Sequence, residues 1–343
     1  MDETSNLARA MFTVGVTGTN GKTTTTTTIA ALLAARSKPV ASITTLGSFL
    51  DGNAIEVPSG FPGLLAAMRA SHQKGGTAAA IEFTSEALAR GLAQHWPSDV
   101  AVFTNLSHDH LDAHQSLEHY LASKAQLFVC LKEQGVAVLN ACDENAALID
   151  EVVAEDRRRI FYGLRSRGEP WHALDVSATD VRFDWSGTDV MLAVSNLVPK
   201  ACKLHIPAIG EIYAENALAA IAAALASEIS LDVAVAKMAT IAAPPGRFER
   251  VAETPDVVID YAHSPDALAR TLATARALGS GKVILVIGAG GNRDRAKRPM
   301  LGAAAAAADR IVLTSDNPRD EDPRAIADAI RDGLGAHADI VLE

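Results

Sequence analysis

The stretch Phe12–Thr28, FTVGVTGTNGKTTTTTT, constrains the chain more than any other. Phe12, Val14 and Val16 alternate as in a strand, a glycine-rich turn follows, and Lys22 opens a threonine run that passes into an Ala/Leu-rich helical segment. A turn of this kind between strand and helix aims backbone N–H groups inward. Together with the positive end of the helix they make a cradle for an anion. Lys22 can reach the β- and γ-phosphates of a nucleotide, and Thr23 can ligate Mg²⁺. Gly18, Thr19, Asn20, Gly21, Lys22, Thr23 and Thr24 are therefore the candidate nucleotide-binding residues. The strict phosphate-loop spacing wants glycine five positions before Gly21, where Val16 stands; Gly15 is one position off. Threonine is a poor helix former, so packing or a ligand must support the run Thr23–Thr28.

A chain of 343 residues allows two or three domains, and 48% apolar residues supply an ample core. A net charge of −10 opposes nucleic-acid binding, so an anionic nucleotide must be met by local positive groups. Cys130, Cys142 and Cys202 form no CxxC pair and are expected to be buried small hydrophobes rather than a disulfide or zinc framework. The N-terminal MDETSNLARAMF has no basic region ahead of an apolar one, and no apolar run approaches the roughly 20 residues of a membrane span. A soluble cytoplasmic protein is expected, with neither membrane nor nucleic acid as a partner.

From residue 12 to about 140, apolar strands alternate with helical stretches: Val40–Ile43, Thr77–Glu82, Val100–Asn105 and Gly135–Asn140 against Leu64–His72 and Leu117–Leu131. The expected fold class is α/β, with a mostly parallel sheet. A small strand subdomain follows in 157–206, with Arg158–Tyr162, Val181–Trp185 and Val190–Ala193 as strands and Ser186-Gly187 as a hairpin turn. Helices Ala214–Ala226 and Leu231–Ala242 close the unit. The breaker Ala243-Pro244-Pro245-Gly246 marks a boundary between domains 1–243 and 244–343. The second is expected to be a smaller Rossmann-like α/β domain with strands Val257–Tyr261, Lys282–Gly288, Arg310–Thr314 and Ile340–Leu342.

Polar groups gather where strands end, which is where wound sheets hold their ligands. Glu82 ends one strand; Asn105, Asp109, His110, Asp112 and His114 follow another; Asn140 and Asp143 follow a third. Carboxylates and imidazoles beside a phosphate loop suit Mg²⁺, whereas zinc held by His108, His110 and His114 fits the hard oxygen donors less well. Asp260–Asp266, Gly288–Asp294 and Ser315–Arg319 are expected to share one sheet edge in the second domain and to complete an active site between domains.

In order, the strings GTNGKTTT, NLSHDHLDAH, SKAQLF, ENALAA, PGRFE, DYAHSPDAL, GGNRDRAKRP and DNPRDEDP resemble the Mur ligase family, and within it the MurE type, the UDP-N-acetylmuramoyl-tripeptide synthetases. The resemblance implies an ATP-dependent acid–amino acid ligase, a carbon–nitrogen ligase that forms ADP. ATP phosphorylates a carboxylate, an amine attacks the acyl phosphate, and ADP and phosphate leave. It implies ATP and Mg²⁺ as cofactors, Lys22, Lys124, His110 and His263 as catalytic residues, and Thr23, Glu82 and His110 as metal ligands. Lys124 in SKAQLF matches a lysine that these enzymes carbamylate; without the resemblance it reads as a surface charge on a helix. Asn216 matches the adenine-side asparagine, Arg247 and Asp260 match nucleotide-facing residues, and Lys297 lies in a segment that closes over the site. Asp316, Asn317 and Arg319 match the motif that grips an incoming meso-diaminopimelate.

Three departures bear on the substrate. The loop begins close to Met1, so the N-terminal UDP-binding domain is expected to be lacking. The C-terminal domain is expected to be shortened, with no GKGHE-like segment after DNPR. Pro58-Ser59-Gly60-Phe61-Pro62, Thr84-Ser85-Glu86 and Tyr213 replace the acyl-substrate motifs. The expected function is a MurE-like ligase joining a small carboxylic acid or peptide, not a UDP-sugar peptide, to an amino acid. The alternatives are a degenerate nucleotide-binding scaffold, or a ligase subunit that needs a partner chain or a homo-oligomer. A folate-type polyglutamate ligase shares the loop and the lysine but not DNPR followed by Asp-Pro.

Overall fold

Helix α1 (Glu3–Ala10) leads into strand β1 (Phe12–Thr17), which is buried from Thr13 onward. Next come α2 (Lys22–Leu33), β2 (Val40–Thr44), β3 (Gly47–Leu50), β4 (Asn53–Ile55), α3 (Gly60–Gln73) and β5 (Ala78–Glu82). They are followed by α4 (Ser85–Ala89), α5 (Leu92–His95), β6 (Val100–Phe103), α6 (Leu117–Val129), β7 (Val136–Asn140), α7 (Asn145–Val152) and β8 (Arg158–Gly163). Strands β9 (Val176–Asp184), β10 (Gly187–Val194) and β11 (Lys200–Ile206) precede helices α8 (Glu211–Ala226) and α9 (Leu231–Met238). The computed structural model describes residues 3–107, 116–195, 200–335 and 340–342. It divides into two units, Met1–Leu106 with Leu121–Pro244, and Ser107–Tyr120 with Pro245–Glu343.

In the first unit eleven strands form one sheet in the order β11-β10-β9-β8-β7-β6-β1-β5-β2-β3-β4. The pairs among β2, β5, β1, β6, β7 and β8 are all parallel. β5, β6 and β7 are buried along their whole lengths, as strands covered on both faces must be. The connection leaving β1 goes to β2 on one side, and the one leaving β5 crosses to β6 on the other. A crevice opens where such connections diverge, at the C-terminal end of β1. Gly15, which the loop consensus did not use, is a packing glycine: a β-carbon there would lie 2.6 Å from Ser98 Oγ and 2.9 Å from Phe83.

The threonine helix is held by packing. Thr23–Thr26, Thr28, Ile29, Leu32 and Leu33 of α2 are buried, against β2, β5 and the alanine-rich α8. α8 buries thirteen of its sixteen residues, since short side chains let it lie close to both the sheet and α2. The strands of 176–206 are an antiparallel wing of the same sheet. Their hairpin turns at Trp185-Ser186 rather than Ser186-Gly187, because Gly187 already pairs with Asp184. The Asp184 carboxylate fixes that turn by accepting from Ser186 N at 2.7 Å. The three cysteines are free but half-buried rather than buried.

The second unit contains β12 (Glu249–Glu253), β13 (Asp256–Ile259), α10 (Pro265–Leu278), β14 (Ile284–Ile287), α11 (Lys297–Ala305), β15 (Arg310–Leu313), α12 (Pro323–Arg331) and β16 (Ile340–Leu342). β14, β15 and β16 form a parallel sheet. Leu268 and Leu272 of α10, Leu301 of α11, Ile311 and Leu313 of β15 and Ile326 and Ile330 of α12 share its core. The three polar strand-end motifs do not share one sheet edge. β13 pairs with β12 in a separate antiparallel hairpin, because a two-residue turn brings the neighbouring segment alongside first, so Asp260 follows a different sheet from Gly288 and Asp316. Among the described residues, no helix is long and apolar enough to cross a membrane.

Candidate functional site

The glycine-rich loop hangs from the end of β1 and is pinned to the end of β6. Thr19 N donates to Asn105 O at 2.8 Å, and Asn20 N donates to Asn105 Oδ1 at 2.9 Å. Thr104 Oγ1 donates in turn to Asn20 O at 2.7 Å. Gly18 has φ +149° and Gly21 φ +82°, conformations that favour glycine. Neither has room for a side chain: a β-carbon would lie 1.9 Å from Thr104 Oγ1 at Gly18 and 2.3 Å from Asn216 Oδ1 at Gly21. As the N-cap of α2, Gly21 brings no side-chain oxygen to the first-turn N–H groups. That leaves the helix end shaped for an external anion.

Lys22 folds back over the loop, its Nζ donating to Thr19 O at 2.7 Å. Thr23 Oγ1 donates to Glu82 Oε2 at 2.9 Å, joining the head of α2 to the end of β5. The same oxygen accepts from Thr45 N at 3.1 Å. Thr45 was not expected at the site; its only signal is a threonine just past the end of β2. Glu82 is only 8% exposed. Lys124 corrects the reading of its residue type: it is 1% exposed, not a surface charge. α6 carries its Nζ under the loop, where it donates to Gly18 O at 2.7 Å.

Behind the loop lies a polar chain that sequence reasoning found only in part. Asn140 Nδ2 donates to Thr104 O at 2.8 Å and to Glu215 Oε1 at 2.9 Å. Glu215 and Asn216 thus divide their work from one turn of α8. Glu215 reaches Asn140 at the end of β7, which itself bonds Thr104 past the end of β6, and Asn216 reaches Gly21 and the Thr25 hydroxyl, at 3.4 Å. Burial pushes the Cys142 thiol up to about 11, with the Glu215 charge adding to it. Burial also raises the Asp143 carboxyl, although Leu106 N and Asn145 donate to it. Tyr162, fully buried and bonded to Phe103 O at 3.0 Å, is raised for the same reason. Beside Asn216 a small, open depression of about 10 Å³ is lined by Thr24, Thr28, Tyr213, Met238 and Ile241.

The second unit brings together Arg247, Tyr261 and His263. The Arg247 guanidinium lies 4.3 Å over the Tyr261 ring, and the His263 ring is 4.9 Å from it. Asp260 shapes its own turn, accepting from Phe248 N at 2.6 Å, Ala262 N at 2.8 Å and Thr271 Oγ1 at 3.0 Å. Lys297 opens α11. Asp316, Asn317 and Arg319 are exposed at the end of β15, and Arg319 Nη1 donates to Gly291 O at 2.6 Å.

Asp109, His110, Asp112 and His114, and the zinc alternative with His108, lie outside the described residues. Among those described, no group of three His, Cys, Asp or Glu side chains converges as a metal cage. The Thr23–Glu82 pair nevertheless fits Mg²⁺, a hard cation that takes most of its ligands from water and phosphate and few from protein. Of the altered acyl motifs, Thr84 caps α4 by accepting from Ala87 N at 3.2 Å, Glu86 is exposed in the first turn of α4, and Tyr213 lines the depression beside Asn216.

Comparison with known proteins agrees with this architecture. Residues 16–224 match the Mur ligase middle domain, and residues 246–342 match the Mur ligase, glutamate ligase domain. A UDP-N-acetylmuramoyl-L-alanyl-D-glutamate–2,6-diaminopimelate ligase from Synechococcus elongatus is 36% identical over 343 residues, covering 98% of this chain and 67% of the relative. A solved structure of a ligase of that name is 30% identical with a TM-score of 0.69, covering 99% of this chain and 70% of the other. Mycobacterium tuberculosis folylpolyglutamate synthase, 21% identical, shares the fold with a TM-score of 0.78 over 99% of this chain and 83% of its own. The chain spans about two thirds of the length of the curated relatives it matches. With both domain models matched in order across a phosphate loop built as described, the chain belongs to the Mur ligase family, whose matched relatives are named as ligases.

Proposed function

We propose that the chain is an ATP-dependent acid–amino acid ligase that forms an amide bond through an acyl phosphate and releases ADP and phosphate. The observation that carries this reading is the contact between Thr23 and Glu82 at the head of α2, beside Lys22 and a helix end open to an anion. Lys22 would leave Thr19 O to meet the γ-phosphate, where its charge offsets that of the transferred phosphoryl group. Thr23 and Glu82, with His110 by resemblance, would hold Mg²⁺, which when bound neutralises phosphate charge and helps align the phosphoryl group. By resemblance, Asn216 is the candidate contact for the adenine end of ATP. Arg247, Asp260 and His263 are, by resemblance alone, the further candidates for nucleotide contact. Lys124, buried beside Gly18, is the candidate for carbamylation.

For the incoming amine, Asp316, Asn317 and Arg319 favour an amino acid with a carboxylate, since a guanidinium can grip a carboxylate through two parallel hydrogen bonds. The relatives are named for 2,6-diaminopimelate, which makes it the first amino acid to try. On the acyl side the replaced motif residues, Glu86, which is exposed, and Tyr213, favour an acid other than the UDP-sugar peptide of the relatives' names. The test is ADP release by the purified chain with ATP, Mg²⁺ and pairs drawn from a panel of acids and amino acids. Release that needs both partners supports the reading; no release from any pair, with Lys22→Ala binding ATP as well as wild type, overturns it.

A further inference from the structure

Two loops of the second unit are tied together by a side-chain pair outside the site described above. Arg298, in the first turn of α11, is 4% exposed. Its Nη1 donates to Glu321 Oε2 at 3.0 Å and its Nη2 to Oε1 at 2.8 Å. Arg295 Nη2 approaches Glu321 Oε2 at 3.1 Å. Asn292 adds two bonds from the loop Gly288–Asp294 that follows β14: its N–H donates to Glu321 Oε1 at 2.5 Å, and its Nδ2 donates to Asp320 Oδ2 at 2.9 Å. One turn of chain away, Gly291 N donates to Asn317 O at 3.1 Å, and a β-carbon on Gly291 would lie 1.7 Å from Pro318 O.

The segment held this way is strained. Asn317 has φ +40° and Arg319 has φ +52°, a region that L-residues with side chains rarely occupy. Such a conformation persists only when its surroundings over-determine it, and strain of this kind gathers at ligand clamps. The bidentate fork between Arg298 and Glu321 supplies direction as well as attraction, which a lysine in place of Arg298 would not. The hydrogen bonds from Arg298 and then from Asn292 N hold the Glu321 carboxyl down to about 2, so it stays charged at any ordinary pH.

We infer that Arg298 and Glu321 are a positioning pair: they hold the loop Asp316–Arg319 in the conformation that presents the Arg319 guanidinium to the carboxylate of the incoming amino acid. This rests on the amino-acid reading of that loop under Proposed function. The pair touches no substrate itself and acts through the loop it holds.

The test compares the whole chain with Glu321→Gln, Arg298→Lys and the exchanged pair Arg298→Glu/Glu321→Arg. Hydrogen exchange is followed by mass spectrometry, and 2,6-diaminopimelate is titrated into the chain loaded with ADP and Mg²⁺. Both single variants should exchange amides in 314–321 at least tenfold faster, with β14, β15 and the phosphate loop unchanged. Their Kd for diaminopimelate should rise at least tenfold while that for ADP stays within twofold, and the exchanged pair should recover part of both losses. Unchanged exchange in 314–321, or faster exchange spread evenly over the unit, overturns the inference. So does a loosened loop that binds diaminopimelate as before. A wild-type chain that takes up no diaminopimelate contradicts the amino-acid reading instead, and exchange in the variants then decides by itself whether the pair holds the loop.

Discussion

Asn216 closes one side of the phosphate loop so tightly that a β-carbon on Gly21 would lie 2.3 Å from its Oδ1. A residue nearly two hundred positions along the chain, on a helix of alanines, therefore dictates what can stand at the loop's last glycine. The alanines are what let α8 approach this closely.

Gly21→Ala should cost on two counts. An L-residue at φ +82° loses about 1–2 kcal/mol, and the clash with Asn216 forces either the loop or α8 to move. ATP affinity measured by calorimetry should fall at least tenfold, with a lower melting temperature. Wild-type affinity in this variant would show that the loop and α8 are not coupled.

Much of this arrangement is legible in the sequence because apolar runs announce buried strands. β1, β5, β6 and β7 read directly from their Val, Ile and Ala content, and the GTNGKT string locates the loop. What escapes reading is polar or depends on distant partners. β3 and β4 are short and partly exposed, so they lack the apolar signal. β11 shows burial only at Leu204 and Ile206. β13 reads as a strand of the parallel sheet because its Val257, Val258 and Ile259 look like a parallel strand, while β12, with Val251 as its one branched apolar residue, gives no strand signal to reveal the hairpin. Lys124 looks like any helix-surface lysine until α6 is packed under the loop, and Thr45 gains its role only when β2 and β5 are neighbours. The roles proposed for Lys124 and for the DNPR segment rest on family resemblance and not on pattern.

Thr23→Val removes the hydroxyl that donates to Glu82 while keeping the volume of the side chain. The Mg²⁺ concentration needed for half-maximal nucleotide turnover should rise about tenfold, corresponding to roughly 1.4 kcal/mol, the scale of one lost hydrogen bond to a charged group. Nucleotide binding without Mg²⁺ should change little. An unchanged Mg²⁺ requirement, read from ADP formation against Mg²⁺ concentration, would remove Thr23 from the metal site.

Asn140→Ala should act on the loop from behind. It takes one donor from Thr104 O and from Glu215 Oε1 in a buried setting, where an unsatisfied polar group costs about 1–3 kcal/mol. Urea unfolding should show that loss. ATP affinity should fall more mildly than in Gly21→Ala, because the Thr104–Asn20 bond remains. A variant as stable as wild type would show that the chain from Glu215 to the loop contributes nothing.

The Glu321 carboxyl gives a pH signature. Its value in the folded chain lies at about 2, below the ordinary 4.5, so folding favours the charged form. A lowered carboxylate contributes its stabilisation in full above about pH 4.5 and loses it as pH falls towards 2. The stability difference between wild type and Glu321→Gln should be constant from pH 7 to 5 and should shrink on further acidification. A difference that grows below pH 4 would contradict the assignment.

The most direct measurement is ADP formation by the purified chain, given ATP, Mg²⁺, 2,6-diaminopimelate and a panel of carboxylic acids that includes the UDP-sugar dipeptide of the relatives' names. The account predicts ADP release only when an acid and an amine are both present, an equal amount of new amide by mass spectrometry, and no release from Lys22→Ala. Absence of ADP with every pair, together with unchanged ATP binding in Lys22→Ala, would contradict it.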